Sequence, residues 1–189
     1  MDAFEIAGTT ISLIRGDITR VEADAIVNAA NSSLLGGGGV DGAIHKRGGP
    51  AILEDCKQVR KELYPDGLPT GEAISTTAGD LPAKRVIHTV GPVWNGGEEN
   101  EPNLLANAYR NSLMQARHES LRTVAFPSIS TGVYSFPIVE ASRIAIQTVG
   151  AYLSNHSEAF DKVQFVLFSD DDFKVYQKSA SAYLDDFVS

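Results

Sequence analysis

Gly36, Gly37, Gly38 and Gly39 stand between an apolar strand-like run that ends at Asn28 and a helical pattern that begins near Val40. Without Cβ atoms, such a run lets the backbone approach a ligand closely and adopt positive φ. The free N–H groups at a helix N-terminus attract phosphate oxygens. The plainer reading is a surface turn, but the strand before and the helix after favour a ligand loop. A second cradle, Ser130-Thr131-Gly132-Val133-Tyr134, follows the apolar run 123–127. Its small residues offer hydroxyls and N–H groups, Gly132 permits an unusual backbone conformation, and Tyr134 can pack over a sugar ring. Alone, this stretch reads as an ordinary strand-to-helix loop ending at Pro137. Together, the two loops imply a two-sided clamp on a diphosphate.

Other candidates are weaker. Asp17, after Gly16, can accept a hydrogen bond from an exocyclic amine of a base, or can cap a short helical turn starting at Ile18 or Thr19. Phe168, at a strand end, can stack on a base or belong to the core. The run 37–42 formally satisfies G-x-G-x-x-G, but the dinucleotide fingerprint needs its first glycine directly after the strand, and residues 29–35 intervene. No glycine is followed by Lys and then Ser or Thr, so the Walker pattern is absent. His45 lies four residues after Asp41, on the same helical face, and reads as structural rather than as a relay. His88 falls on a strand and has no second ligand at metal-binding spacing, so no metal is expected. Cys56, the single cysteine, lies in a helical pattern and reads as core.

These residues need a scaffold that brings loops together. Strand patterns fall at 10–14, 25–28, 73–77, 85–89, 123–127 and 163–168, with a short further strand near 4–6. Helical patterns fall at 40–46, 50–63, 103–118, 137–153 and 171–187. The alternation implies an α/β sandwich with a largely parallel central sheet, as a single domain over 1–189. In such sheets ligands sit beyond the carboxyl ends of the strands. Parallel strands would therefore bring the four loops starting at Arg15, Ala29, Ser128 and Ser169 to one crevice. The stretch 95–100 reads as a surface loop.

Composition narrows the partners. The chain has 189 residues, 43% hydrophobic and 21% charged, with a formal net charge of -8. Long-range attraction to nucleic acid or to an anionic membrane is therefore not expected. A diphosphate must be held by local donors, chiefly backbone N–H groups. One cysteine forbids an internal disulfide framework. The N-terminus lacks the pattern of a signal peptide, and no apolar run reaches the length of a membrane span, so a cytoplasmic protein is expected.

The motifs Gly16-Asp17-Ile18-Thr19, Asn28-Ala29-Ala30-Asn31, Gly37-Gly38-Gly39-Val40-Asp41-Gly42-Ala43-Ile44-His45 and Ser130-Thr131-Gly132-Val133-Tyr134 resemble those of macrodomains, specifically MacroD-type ADP-ribosyl hydrolases. The resemblance runs from about residue 11 to residue 172. It implies a three-layer α/β/α fold. It also implies action on O-acetyl-ADP-ribose and on proteins carrying a single ADP-ribose on Asp or Glu, with no cofactor. A non-catalytic ADP-ribose reader is the alternative. By resemblance, Asp17 and Ile18 contact adenine, with Phe168 bordering that pocket, and Asn31 binds the distal ribose. Ala29 and Gly38, Gly39, Val40 and Asp41 form the first substrate loop; Ser130, Thr131, Gly132, Val133 and Tyr134 hold the diphosphate. Asp41 takes the place of the catalytic acid, with Asn31 positioning the ribose. Either Asp41 or the substrate's own diphosphate can activate the water. The Gln-Glu-Glu triplet of poly-ADP-ribose glycohydrolases is missing after the glycine run.

Overall fold

The computed structural model describes residues 2–188. Its centre is a mixed sheet of seven strands among the described residues. In chain order these are β1 (Ala3–Ile6), β2 (Thr9–Arg15), β3 (Ala25–Ala30), β4 (Ala73–Thr77), β5 (Arg85–Val90), β6 (Thr123–Phe126) and β7 (Lys162–Leu167). They lie side by side in the order β1-β2-β7-β6-β3-β5-β4. The five central strands are parallel, and the two edge strands pair antiparallel with β2 and β5. Both edges are thus closed by strands joined to their neighbours locally, while each central step needs a crossover.

Helices cover both faces. α1 (Gly39–Gly48) and α2 (Pro50–Glu62) lie on one; α3 (Glu101–His118), α4 (Ile138–Asn155) and α5 (Asp170–Val188) lie on the other. The strands alternate accordingly. On β3, Ala25 and Val27 enter the core beneath α3, α4 and α5, whereas Ile26 and Ala30 enter the core beneath α1 and α2. Buried on both faces, these strands read as near-continuous apolar runs. That places Asn28, between Val27 and Ala29, on the α1 side of the sheet.

The expected elements are present, with shifted ends. β3 runs two residues beyond the expected end, so Ala29 and Ala30 belong to the strand. β7 stops at Leu167, leaving Phe168 outside it. Pro137 does not begin α4 but occupies its N-cap position. A 3-10 turn, Ile18–Arg20, follows β2. Phe165 on β7 is fully buried and stacks on Phe126 of β6, with ring centroids 5.9 Å apart. Phe165→Ala leaves a cavity between two central strands. It should lower the stability read from a urea titration by about 3–5 kcal/mol.

Candidate functional site

Because β2, β7, β6, β3 and β5 are parallel, their carboxyl ends form one row. At about 4.8 Å per strand, the row from β2 to β3 spans about 14 Å. A cavity of about 340 Å³ opens over the β3, β5 and β6 ends. Of the residues expected to bind, Ala29, Asn31, Gly38, Gly39, Val40, Asp41, Ser130, Gly132, Val133 and Tyr134 line it. Gly37 and Ala30 line it too, as do Ser128, Ile129 and Gly91. Gly91 follows β5, a fifth parallel strand end whose loop the sequence reading left out.

The first wall is the β3–α1 loop. α1 begins at Gly39 without a side-chain cap, and its first internal bond joins the Gly42 N–H to the Gly38 carbonyl. The N–H groups of Gly39, Val40 and Asp41 precede that bond, at the positive end of the helix. Gly37 is closely placed: a Cβ there would lie 3.2 Å from Asn31 Nδ2 and 3.3 Å from Asp41 Oδ2, so both side chains would have to shift. Gly42 is more constrained, since a Cβ there would run into the Gly37 carbonyl oxygen. Asn31 is oriented from both sides, donating from Nδ2 to the Gly36 carbonyl at 3.0 Å and accepting from Ser33 Oγ at 2.5 Å. Arg60 of α2 anchors this loop by donating to the Ser33 carbonyl at 2.7 Å.

The second wall is the β6–α4 loop. Two serines here lie in the left-handed region, Ser130 at φ 68 and Ser135 at φ 60; Gly132 does not use positive φ, contrary to expectation. Such a conformation in a non-glycine residue costs of order 1–3 kcal/mol. It turns Ser130 inward, with its hydroxyl buried and without a hydrogen-bond partner among the described residues. The loop is held from below by Tyr109, whose hydroxyl accepts from the Ile129 N–H, and by Tyr176, whose hydroxyl donates to Ser128 Oγ. Burial raises both phenols above their ordinary range, so both stay protonated. Thr131 does not line the cavity; its hydroxyl turns back to Ser128. Val133 is 97% exposed at the loop tip.

Asp17, Ile18 and Phe168 also lie outside this cavity lining. Asp17 adopts the capping role, accepting from the Thr19 N–H at 2.9 Å and the Thr19 hydroxyl at 2.6 Å. The Thr19 hydroxyl bond holds its carboxyl below the ordinary carboxylate range, against the opposing effect of burial. Ile18 is buried in the core beneath α1 and α2. Phe168 is 80% exposed and so is not a core residue. Asp17 and Phe168 nonetheless follow neighbouring strands, β2 and β7, on the same edge of the sheet as the cavity. An Arg15–Asp170 ion pair at 3.1 Å joins the same two strand ends.

Asp41 is the charged residue of the cavity lining, and it is only 4% exposed. Asn28 Nδ2 donates to its Oδ1 at 2.8 Å, and His45 Nε2 lies 3.4 Å from the same oxygen without hydrogen-bonding geometry. Oδ2 is buried and has no hydrogen-bond partner among the described residues. Among those residues, no group of three or more His, Cys, Asp or Glu side chains could hold a metal ion, and no helix is long and apolar enough to cross a membrane.

The macro domain family model matches residues 27–145. The chain belongs to the macro domain family. A macro domain-containing protein of Caldanaerobacter subterraneus subsp. tengcongensis is 58% identical over 169 residues, 89% of this chain and 94% of that protein. An O-acetyl-ADP-ribose deacetylase of Escherichia coli K12 is 51% identical over 170 residues, 90% and 94% of the two chains. Among solved structures, the Oceanobacillus iheyensis macrodomain with ADP superposes with a TM-score of 0.94 at 45% identity, over 97% of this chain and 96% of that one.

Two consequences can be measured. Gly42→Ala forces α1 away from the Gly37 carbonyl and spreads the first wall. It should lower the stability read from a urea titration by about 1–3 kcal/mol, with the far-UV spectrum retained. The second concerns the surface loop 95–99, which is pinned rather than loose. Glu101 accepts from the Asn95, Gly97 and Glu99 N–H groups at 2.8, 2.8 and 2.6 Å. The loop in turn carries Trp94, whose N–H donates to the Tyr134 carbonyl. Burial opposes the charge on Glu101, but the backbone donors outweigh it and hold the carboxyl below its ordinary 4.5. A lowered folded value stabilises the fold fully above the ordinary value, and the contribution is lost as pH falls through the lowered one. Glu101→Gln should therefore lower the urea midpoint at neutral pH, and its difference from wild type should shrink below pH 4.5.

Proposed function

We propose that this macro domain is a hydrolase that binds ADP-ribose, deacetylates O-acetyl-ADP-ribose and removes single ADP-ribose units from Asp and Glu side chains of proteins. The observation that carries the reading is Asp41 Oδ2: a buried carboxylate oxygen, without a partner among the described residues, beside Asn31 in a cavity otherwise lined by neutral groups. The clamp on either side suits a diphosphate. The uncapped start of α1 supplies N–H groups from one wall, and the Ser130 to Tyr134 loop supplies them from the other. The Escherichia coli relative's name and the ADP on the Oceanobacillus neighbour support the same ligand class.

Both substrates are esters on the distal ribose, which the clamp directs toward Asn31 and Asp41. Water adds through its oxygen to the acyl carbon while its proton passes to Asp41 Oδ2. The tetrahedral adduct collapses, the acyl C–O bond breaks, and the ribose hydroxyl leaves with the proton returned by Asp41. The products are the free acid and ADP-ribose. General-base assistance of this kind contributes roughly 10²–10⁴-fold. Asn31 holds the ribose hydroxyls, and Asp17 and Phe168 take the adenine end at the β2 and β7 strand ends.

The test measures acetate release from O-acetyl-ADP-ribose and ADP-ribose release from a mono-ADP-ribosylated protein, with ADP-ribose affinity alongside. Asp41→Ala should lower turnover by about a hundredfold or more, while affinity changes far less, because a base acts in the transition state. Asn31→Ala should lower both. Near-normal turnover in Asp41→Ala would transfer activation of the water to the substrate's diphosphate. A wild type that binds ADP-ribose and hydrolyses neither substrate would be a reader, and the hydrolase reading would fall.

A further inference from the structure

We propose that His88, which touches no part of the cavity, is a positioning residue. Through the side-chain amide of Asn28 it holds Asp41 as the anion with Oδ2 turned free toward the cavity. The inference rests on the reading of Asp41 as the base.

The residues come from three adjacent strands. Asn28 on β3 and His88 on β5 are direct register partners, and both point to the face covered by α1 and α2. Both are fully buried, as is Thr76 on β4. Asn28 Nδ2 lies 2.8 Å from Asp41 Oδ1 and 3.1 Å from His88 Nδ1. His88 Nε2 lies 2.8 Å from Thr76 Oγ1, and that hydroxyl donates to the Thr77 carbonyl at 3.0 Å. A line of hydrogen bonds thus runs across three strands from a backbone carbonyl to the carboxylate.

The proton inventory gives the line a direction. The Thr76 hydroxyl has one hydrogen, and it goes to the Thr77 carbonyl. Thr76 Oγ1 must then accept, so His88 carries its proton on Nε2. Nδ1 is bare and accepts from Asn28. The Asn28 amide has two hydrogens: one meets His88 Nδ1 and the other meets Asp41 Oδ1. Asp41 needs no proton of its own, and bonding to the charged form favours that form. The opposite direction would turn the Asn28 carbonyl toward a protonated Asp41, put the His88 proton on Nδ1 and withdraw the Thr76 hydroxyl from Thr77. It would also leave a buried amide NH2 without partners, where the present direction leaves the Asn28 carbonyl oxygen so; Asp41 Oδ2 lacks a partner in either direction. Two stranded donors and a lost bond outweigh one stranded acceptor.

The surroundings keep the line from reversing. His45 from α1 faces His88, with ring centroids 6.2 Å apart, and Cys56 from α2 lies 3.7 Å from His88 Nε2. Burial, aided by Asp41 and Asp55, pushes the Cys56 thiol up to about 12, so it adds no charge beside the ring. Burial, aided by His45, pushes His88 down to about 3. His88 therefore stays neutral at neutral and mildly acidic pH, and it keeps a lone pair for Asn28 there.

The first experiment needs no variant and no turnover: two-dimensional ¹⁵N spectra of the imidazoles in the wild type. The expected pattern for His88 is a protonated Nε2 and a bare Nδ1 at neutral pH. A proton on Nδ1 would overturn the proposal, whatever the enzyme does. The second compares His88→Phe and His88→Asn on O-acetyl-ADP-ribose. Phe removes the acceptor, whereas the Asn carbonyl oxygen can replace Nδ1. His88→Phe should lower kcat by about tenfold at unchanged KM, and move the acidic limb of the kcat–pH profile upward. His88→Asn should return the limb toward its wild-type position. If both variants only lose thermal stability and keep the wild-type profile, His88 is merely structural and the inference fails. A wild type without turnover would sink the hydrolase reading instead, and the imidazole spectrum would still decide the direction of the line.

Discussion

The Asn28–Asp41 hydrogen bond is the contact on which the site turns. A carboxylate as deeply buried as Asp41 has lost most of its hydration, and the effective penalty for an ion in that position is several kcal/mol. Two features offset it. Asn28 replaces one water at Oδ1 with a fixed donor at 2.8 Å. The first turn of α1, in which Asp41 sits, presents its positive end to the charge. Neither survives displacement of β3 against α1. The register of β3 with β5, the fully buried Ile26 beside Asn28, and the Gly42–Gly37 approach are therefore parts of one constraint.

The same constraint explains the glycines. A helix that must bring Asp41 within reach of a strand side chain leaves little room beside the site. Gly37 lies close to Asn31 and Asp41, and Gly42 against the Gly37 carbonyl. Close approach favours glycine at Gly37 and requires it at Gly42, whereas Gly36 and Gly39 use positive φ and Gly38 has open space around it. The opposite wall reaches its shape differently, through a strained Ser130 and through tyrosine hydroxyls that hold the preceding Ser128 and Ile129 from beneath. The two walls are thus rigid for unrelated reasons. Rigidity is what a clamp of neutral donors needs, because reorganising it would erode the modest gain from each N–H.

Much of this was legible in the sequence, and the limits have physical causes. Alternating apolar runs and helical stripes fix the layers and the parallel centre, and the motif-bearing loops fall on the row of strand ends as that topology requires. The polar line under Asp41 was not legible. His88 reads as an isolated histidine on an apolar strand. Its meaning depends on lying opposite Asn28, 60 residues away, and periodicity within one strand carries no information about register between strands. Gly91 was missed although Gly91-Pro92 marks a turn after β5, because only the pairing of β5 beside β3 brings that turn to the cavity. Gly132 was given a conformational role that Ser130 performs, since the residue type alone does not show where strain is stored. Phe168 could have belonged to the core or to the edge, and only the end of β7 at Leu167 decides it.

One electrostatic problem remains, and its solution orders the site. A diphosphate is an anion, the chain is acidic, and the lining contains a carboxylate but no lysine or arginine. At close range in a poorly hydrated cleft, Asp41 and a phosphate would repel strongly. The geometry separates them. The N–H groups of Gly39, Val40 and Asp41 point along the helix axis away from its body, whereas the Asp41 side chain folds back to Asn28 on the sheet. Donors and carboxylate thus face in different directions. The anionic part of a ligand is drawn toward the helix start and the Ser130 loop, and an uncharged part is left to meet Oδ2. Repulsion from Asp41 then works as an orienting force, because a ligand placed backward would set phosphate against carboxylate. In the proposed hydrolase, neutral donors with one buried anion would therefore do what a cluster of cations could not: fix which end of the ligand faces Asp41.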